Sequence, residues 1–550
     1  LDFIEGGMDA ADVNERKSWW PIIGVILLAL SLRVWIVVRS EVAARDSIGF
    51  IKSALRYETE PFAKVLRESE QPPGYPVAVM VASWPVRLVA GDITPRAMAL
   101  SAQIASAFFG TLLVLPMIGL GTELFNRRFG IIAAVLFQAL PAWVKLTADG
   151  LSESTFLFFT VTGLWAAARA FRTNQPIWFG ICGLASGAAY FTRPEGAELI
   201  PVVLIVLTGM SLLRQLSWRR TMIHAVVLVA GFSVFFGPFF AITGRITNKP
   251  TGRFLLGDPT AEKSYFTVGA APTTTAPLLA VWWQGAQDKH KNRLIWAAES
   301  LVTELALASR QIGLALSILG LCFWHQRVRN RPGGAVLMIL SALHALLLIR
   351  MTSSIGYLSE RHTALILVAG VYPATLGLLI VVEKAARLQW RGQGFTTVPL
   401  LVIFAVGAVA TGLPSLRKPL HYNRAGHRKA GEWLAEHAPP GTGICDPFCW
   451  ATYYAGRDFL TGLEKDPPDQ FVILEASNNQ HSRLPLMPEA KAKAAAGELV
   501  YSWPDTPNSK TTQVQVYRWR RPAQTTTSTA NPPSPPSAAG ASNRTATASR

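Results

Sequence analysis

Long stretches without a charged residue recur along this chain, at 97–122, 129–144, 173–192, 221–244, 332–349, 363–382 and 392–416. Most are near or beyond the roughly 20 residues that carry a helix across the hydrocarbon core of a bilayer. They are continuous rather than alternating, so they predict membrane helices and not the strands of a barrel. Half of the 550 residues are apolar and only 16% are charged, too few to cover a soluble protein of this size. The net charge of +17 is dispersed in short clusters between the apolar runs, a pattern that orients a membrane protein and does not mark a nucleic-acid surface.

Eleven spans are expected, at about 19–39, 97–120, 130–147, 152–169, 176–192, 197–213, 223–243, 308–324, 334–350, 363–382 and 395–413. The first lacks the pattern of a removable signal and is read as a retained span behind a short cytoplasmic N-terminus, residues 1–18. Arg16 and Lys17, Arg127 and Arg128, Arg172, Arg214 with Arg219 and Arg220, Arg327 with Arg329 and Arg331, and Lys384 with Arg387 and Arg391 fall in connections of one parity. The positive-inside rule assigns these to the cytoplasm, leaving 40–96, 148–151, 244–307 and everything after about 414 on the external face. The apolar stretch 74–91, with Pro76, Pro85 and Arg87, is expected as a helix at the external interface. Residues 414–521 read as a small external α/β domain, with a helix over 425–436 and strands over 471–475 and 513–519. Within it Tyr453, Tyr454, Gly456 and Arg457 read as a surface turn, and Cys445 and Cys449 could pair in an oxidising compartment. The Thr-, Ser-, Ala- and Pro-rich tail, 522–550, has no means to bury a core and is expected to be disordered.

Four clusters on the external face carry chemistry. Arg45-Asp46-Ser47 follows the first span, with Lys52 and the Gln71-Pro72-Pro73-Gly74-Tyr75-Pro76 element beyond it. Asp149-Gly150-Leu151-Ser152-Glu153, Arg193-Pro194-Glu195-Gly196 and Tyr357-Leu358-Ser359-Glu360-Arg361-His362 each join two spans. Each has an ordinary explanation: a solvated helix-end carboxylate, a helix cap, an interfacial ion pair, an aromatic belt with a snorkelling arginine. None of their residues was used to set the topology, so their convergence on one face is an independent observation. Carboxylates there can take a proton from an acceptor hydroxyl, while arginines neutralise a leaving phosphate.

The order and sidedness of these motifs, with the Asn126–Gly130 cytoplasmic turn, resemble the GT-C superfamily of polyprenyl-phosphate-sugar glycosyltransferases. The likeness is to bacterial relatives of protein O-mannosyltransferases and of the lipid A aminoarabinose transferase, and it extends over residues 19–413. It implies an all-α polytopic membrane fold and an inverting hexosyl or pentosyl transfer at the external face of a bacterial inner membrane. By resemblance Asp46 is the expected base, with Asp149 and Glu153 as further catalytic carboxylates. Arg193, Arg361, His362 and Lys52 would meet the donor phosphate, and Tyr75, Glu195 and Tyr357 the substrates. The partners implied are a polyprenyl-phosphate sugar, membrane lipid, and a protein, lipid or polysaccharide acceptor. No cofactor is required by these motifs, although the carboxylates could take a divalent metal. Two positions depart from the pattern: Gln71 stands where relatives often carry lysine, and Glu360 where a small residue is usual. The competing class is a lipid-linked-sugar flippase or secondary transporter, which would place ionisable groups near mid-span and often show paired halves.

Overall fold

A computed structural model describes residues 18–255 and 292–521, apart from 329–330, 357, 388, 391–392, 395–396, 440, 461–466, 477–483, 485 and 506–511. The expected N-terminal segment 1–18, but for residue 18, and the tail 522–550 lie outside the described residues. The protein is a multi-pass helical membrane protein with a small C-terminal sheet domain. Among the described residues six helices are long and apolar enough to cross a bilayer: Trp20–Val38, Pro95–Leu124, Pro194–Leu212, Trp218–Thr243, Pro332–Ser354 and Glu360–Ala386. Shorter or more polar helices fill the remaining expected positions, notably Glu153–Thr173, Pro176–Thr192 and Thr397–Arg417. The helix Glu360–Ala386 is packed on nearly all sides, whereas Trp218–Thr243 turns most of its surface outward, as a lipid-facing helix does. Trp218–Thr243 meets its neighbour through small residues. A Cβ on Gly231 would lie 2.4 Å from the Gly180 carbonyl, so only glycine lets these backbones approach so closely.

Two expected spans are broken. The 130–147 segment is a helix over Arg127–Gln138 and a second, short one over Pro141–Leu146. Pro141 lacks an amide hydrogen and pushes Leu140 to φ −89° and ψ 105°, which ends the first helix. The 308–324 segment does not begin in a straight span: helices Arg293–Ala308 and Ile312–Val328 meet at 108°, and Arg310 and Gln311 take positive φ at the bend. The first of these lies against the turn Glu360–Thr363. The stretch expected at the interface is a helix, Gly74–Ala90, ended by Gly91 at φ +76°.

The C-terminal domain holds a four-stranded sheet in the order Gly443–Cys445, Asp469–Glu475, Val514–Arg520, Glu498–Trp503, the first pair parallel and the others antiparallel. Alternation along Asp469–Glu475 gives the sheet two apolar faces. Phe471 and Ile473 join Ala430 and Leu434 of helix Ala425–His437, while Val472 packs on Ala490 and Ala494 of helix Met487–Ala495. Cys445 and Cys449 are not disulfide-bonded. Tyr453 and Tyr454 are no surface turn: both are buried against the membrane domain, Tyr453 Oη donating to the Pro95 carbonyl at 2.7 Å.

Candidate active site

At the end of the bundle that carries the C-terminal domain, five connections bring their ionisable side chains into one continuous chain of charges. Asp46 lies in the first turn of helix Arg45–Thr59, where the helix dipole favours a carboxylate. Its Oδ2 is 2.5 Å from Arg361 Nη2, and Arg361 Nε lies 3.9 Å from Glu153 Oε1. Glu153 opens helix Glu153–Thr173 and accepts from Arg193 Nη1 at 2.7 Å. Arg193 Nη2 donates to Glu195 Oε1 at 3.1 Å, and Lys249 Nζ is 4.0 Å from the same oxygen. Three carboxylates thus alternate with three cations.

Exposure separates the members of this chain. The side chains of Arg193 and Glu153 retain 9% and 3% of their surface, those of Arg361 and Asp46 33% and 41%. Removing one partner of a buried pair costs about 3–5 kcal/mol, whereas a solvated pair contributes about 0–1 kcal/mol. Arg193 is therefore held by its carboxylates, while Arg361 can exchange Asp46 for another anion at little cost. Burial works against charge on Arg193, but Glu195 and Glu153 outweigh it and raise its pKa. Burial lowers that of Lys249, with Glu195 opposing. Glu153, Arg193, Glu195, Arg361, His362 and His344 line a cavity with about 10 Å³ of room, enough for one water molecule. His344 Nδ1 lies 2.9 Å from Glu198 Oε2, and its Nε2 3.3 Å from the His362 carbonyl, so this pair braces the turn bearing Arg361.

The other expected residues sit elsewhere. Asp149 does not join the charge chain and does not cap the following helix. His421 of the C-terminal domain holds it, Nε2 lying 2.8 and 2.9 Å from its two oxygens. Burial raises the Asp149 pKa against the opposing pull of His421. The turn is fixed by Gly150 at φ +71° and by Ser47, which donates to the Gly150 carbonyl at 2.6 Å. Lys52 points away to Asp458 at 2.7 Å, because six residues along a helix place it on a different face from Asp46. Tyr75 is fully buried, its hydroxyl donating to the Ala102 carbonyl and meeting Ser106, both at 2.8 Å, so it fastens two helices and touches no open surface. His362 uses Nδ1 to accept from the Ser359 amide at 3.2 Å, closing the turn. Glu195 is consumed by Arg193 and Lys249, and Tyr357 lies outside the described residues.

Lys249, Glu198, His344 and His421 were not anticipated. Glu198 and His344 carried a legible signal, since ionisable residues inside apolar runs are costly unless paired. Among the described residues no group of three or more His, Cys, Asp or Glu side chains converges as a metal site.

The bundle with its small C-terminal sheet domain is a GT-C-like fold, as its likeness to solved structures shows. Residues 79–242 match the family described as dolichyl-phosphate-mannose-protein mannosyltransferase. The crystal structure of ArnT from Cupriavidus metallidurans bound to undecaprenyl phosphate superposes with a TM-score of 0.55 at 13% identity, covering 91% of this chain and 98% of that one. The apo oligosaccharyltransferase of Archaeoglobus fulgidus gives 0.51 at 15% identity, covering 77% of this chain, which spans 59% of that protein's length. No curated protein matches by sequence.

Proposed function

We propose that this protein is an inverting glycosyltransferase that moves a sugar from a polyprenyl phosphate to an acceptor hydroxyl, at the extracytoplasmic face of a bacterial inner membrane. The observation that carries the reading is the Asp46–Arg361 pair: a helix-end carboxylate and an arginine, both reachable from solvent, backed by the buried Glu153 and Arg193. The similarity to ArnT, whose structure contains undecaprenyl phosphate, supports the lipid-linked donor.

The donor phosphate takes Arg361 from Asp46, with Lys249 as a second cation. This frees the carboxylate as the donor arrives, so base and leaving group are readied by one event. Asp46 then accepts the proton of the acceptor hydroxyl, the acceptor oxygen bonds to the anomeric carbon, and the carbon–oxygen bond to phosphate breaks on the opposite face. The electron pair departs with polyprenyl phosphate, whose charge Arg361 stabilises. Glu153, itself fixed by Arg193, holds Arg361 in place. These steps use no cofactor; a divalent cation at the carboxylates would show itself as turnover lost on chelation.

The test is reconstitution in lipid vesicles with a panel of undecaprenyl-phosphate-linked hexoses, N-acetylhexosamines and aminopentoses and a membrane extract as acceptor source. Release of undecaprenyl phosphate coupled to sugar transfer is the expected result. Movement of intact lipid-linked sugar across the bilayer, with its phosphate bond unbroken, would make the protein a flippase.

A further inference from the structure

We propose that the C-terminal domain is a working part of the transfer site, in which Tyr454 and Trp450 position Asp46 by gripping the peptide backbone just before it. The inference rests on the reading of Asp46 as the base. Between the first span and helix Arg45–Thr59 the chain crosses under the C-terminal domain, and Val42, Ala43 and Ala44 are all buried there. The main-chain groups of Ala43 are both met by side chains of that domain: its N–H donates to Tyr454 Oη at 2.8 Å, and its carbonyl accepts from Trp450 Nε1 at 2.8 Å. Two residues earlier the Glu41 amide donates to the Leu420 carbonyl at 3.1 Å, and its carboxylate meets Arg428 at 2.7 Å. Two residues later Arg45 reaches the Pro447 carbonyl at 3.5 Å, and on the same helix Lys52 pairs with Asp458.

The grip is specific because Ala44, the residue that caps the Asp46 helix, offers no side-chain hydrogen bond to start it. No side-chain cap fixes where that helix begins. A strand or a helix would satisfy the Ala43 amide and carbonyl by regular backbone pairing; here the work falls to a phenol and an indole, both at least nine-tenths buried. The same domain holds Asp149 through His421, and Asp149 lies in the turn to which Ser47 is bonded, its own carbonyl and that of Gly150 accepting from the Ser47 hydroxyl. Asp46 is thus fixed from both sides of its helix start by contacts that trace back to one domain, which gives that domain a task in positioning the base.

Tyr454→Phe keeps the ring and removes only the hydroxyl, Trp450→Phe keeps an aromatic ring but gives up part of the indole volume, and each removes one hydrogen bond to Ala43. In the full-length protein in lipid nanodiscs, both changes together are expected to raise amide exchange over residues 41–50 at least tenfold while leaving helix Glu153–Thr173 unchanged. Turnover should fall about tenfold with binding of undecaprenyl phosphate within twofold, because a loosened base weakens transfer more than phosphate contact. In an Asp46→Asn background the two changes should cost nothing further. Arg96→Ala, which removes the solvent-exposed ion pair with Glu432 on the same domain and leaves both Ala43 hydrogen bonds in place, is the control expected to match wild type. Unchanged exchange over 41–50 would overturn the proposal, as would an equal loss of turnover with and without Asp46. Full activity of Asp46→Asn alone would instead remove the catalytic reading on which it rests.

Discussion

The helix Glu153–Thr173 has a charge cluster at each end, and the two differ in kind. At its far end Glu123 sits between Arg169 and Arg172, with Arg331 donating to the Glu123 and Phe125 carbonyls at 3.1 and 3.2 Å. One buried carboxylate there ties helix ends together, and Arg169 also stacks on Trp178. At the near end, 16 to 19 residues and so roughly 25 Å away along the helix, carboxylates and cations alternate through six side chains and end in a partly exposed pair beside a cavity. Buried ions alone do not make a site. What distinguishes the near end is that its outermost pair is inexpensive to open while the pair behind it is not.

The largest contrast should come from removing the central carboxylate of each cluster. Glu153→Gln is expected to destabilise the protein by about 3 kcal/mol, the lower end of the cost of breaking a buried pair, and Glu123→Gln by less, because its partners Arg169 and Arg172 keep 37% and 60% of their surface, both read as a lowered thermal midpoint in detergent. Only Glu153→Gln should also cut turnover of the surviving folded protein, by about 100-fold, because Arg361 loses its backing; equal turnover in the two variants would dissolve the distinction. A smaller effect is expected from the arginines. Arg361→Ala should weaken undecaprenyl phosphate binding about 10- to 100-fold, the value of a charge-assisted contact of about 1.5–3 kcal/mol, while Arg172→Ala leaves it unchanged.

The smallest effect concerns the seam with the C-terminal domain. Burial disfavours the charged form of His421, but the Asp149 carboxylate and its hydrogen bond outweigh this and raise the His421 pKa above the ordinary imidazole value of about 6.5. A raised folded-state pKa means that the docking contribution is complete below about pH 6.5 and fades as pH climbs through the raised value. Amide exchange near His421 should therefore increase modestly from pH 6.5 to pH 9, and His421→Asn should flatten that dependence.

Much of the architecture was readable because apolar runs leave a long chain few choices. Helices stand at every expected segment, and the charged turns on the predicted external side do meet. The misreadings are local. Pro141 inside an apolar run was a legible break, since a proline removes a donor and restricts the residue before it. The bend at Arg310 and Gln311 had no such marker. Tyr75 and Lys52 lie in the right loop, but which face of a helix meets the site depends on packing across distant segments. Lys249 and His421 entered by the same route: one opens a long connection and the other follows the last span, and only tertiary contact brings them to Glu195 and Asp149. Tyr453 and Tyr454 looked like surface because the domain was read alone, whereas the membrane domain covers them.

The central claim is that Asp46 is the base of a sugar transfer, and one measurement bears on it most directly. Asp46→Asn keeps the shape of the side chain and can still hydrogen-bond to Arg361 but cannot take the acceptor proton. In reconstituted vesicles supplied with the lipid-linked sugar that the wild type consumes, release of undecaprenyl phosphate should fall by about 10²- to 10⁴-fold while binding of undecaprenyl phosphate is retained. Release at the wild-type rate by the Asp46→Asn protein would contradict the account.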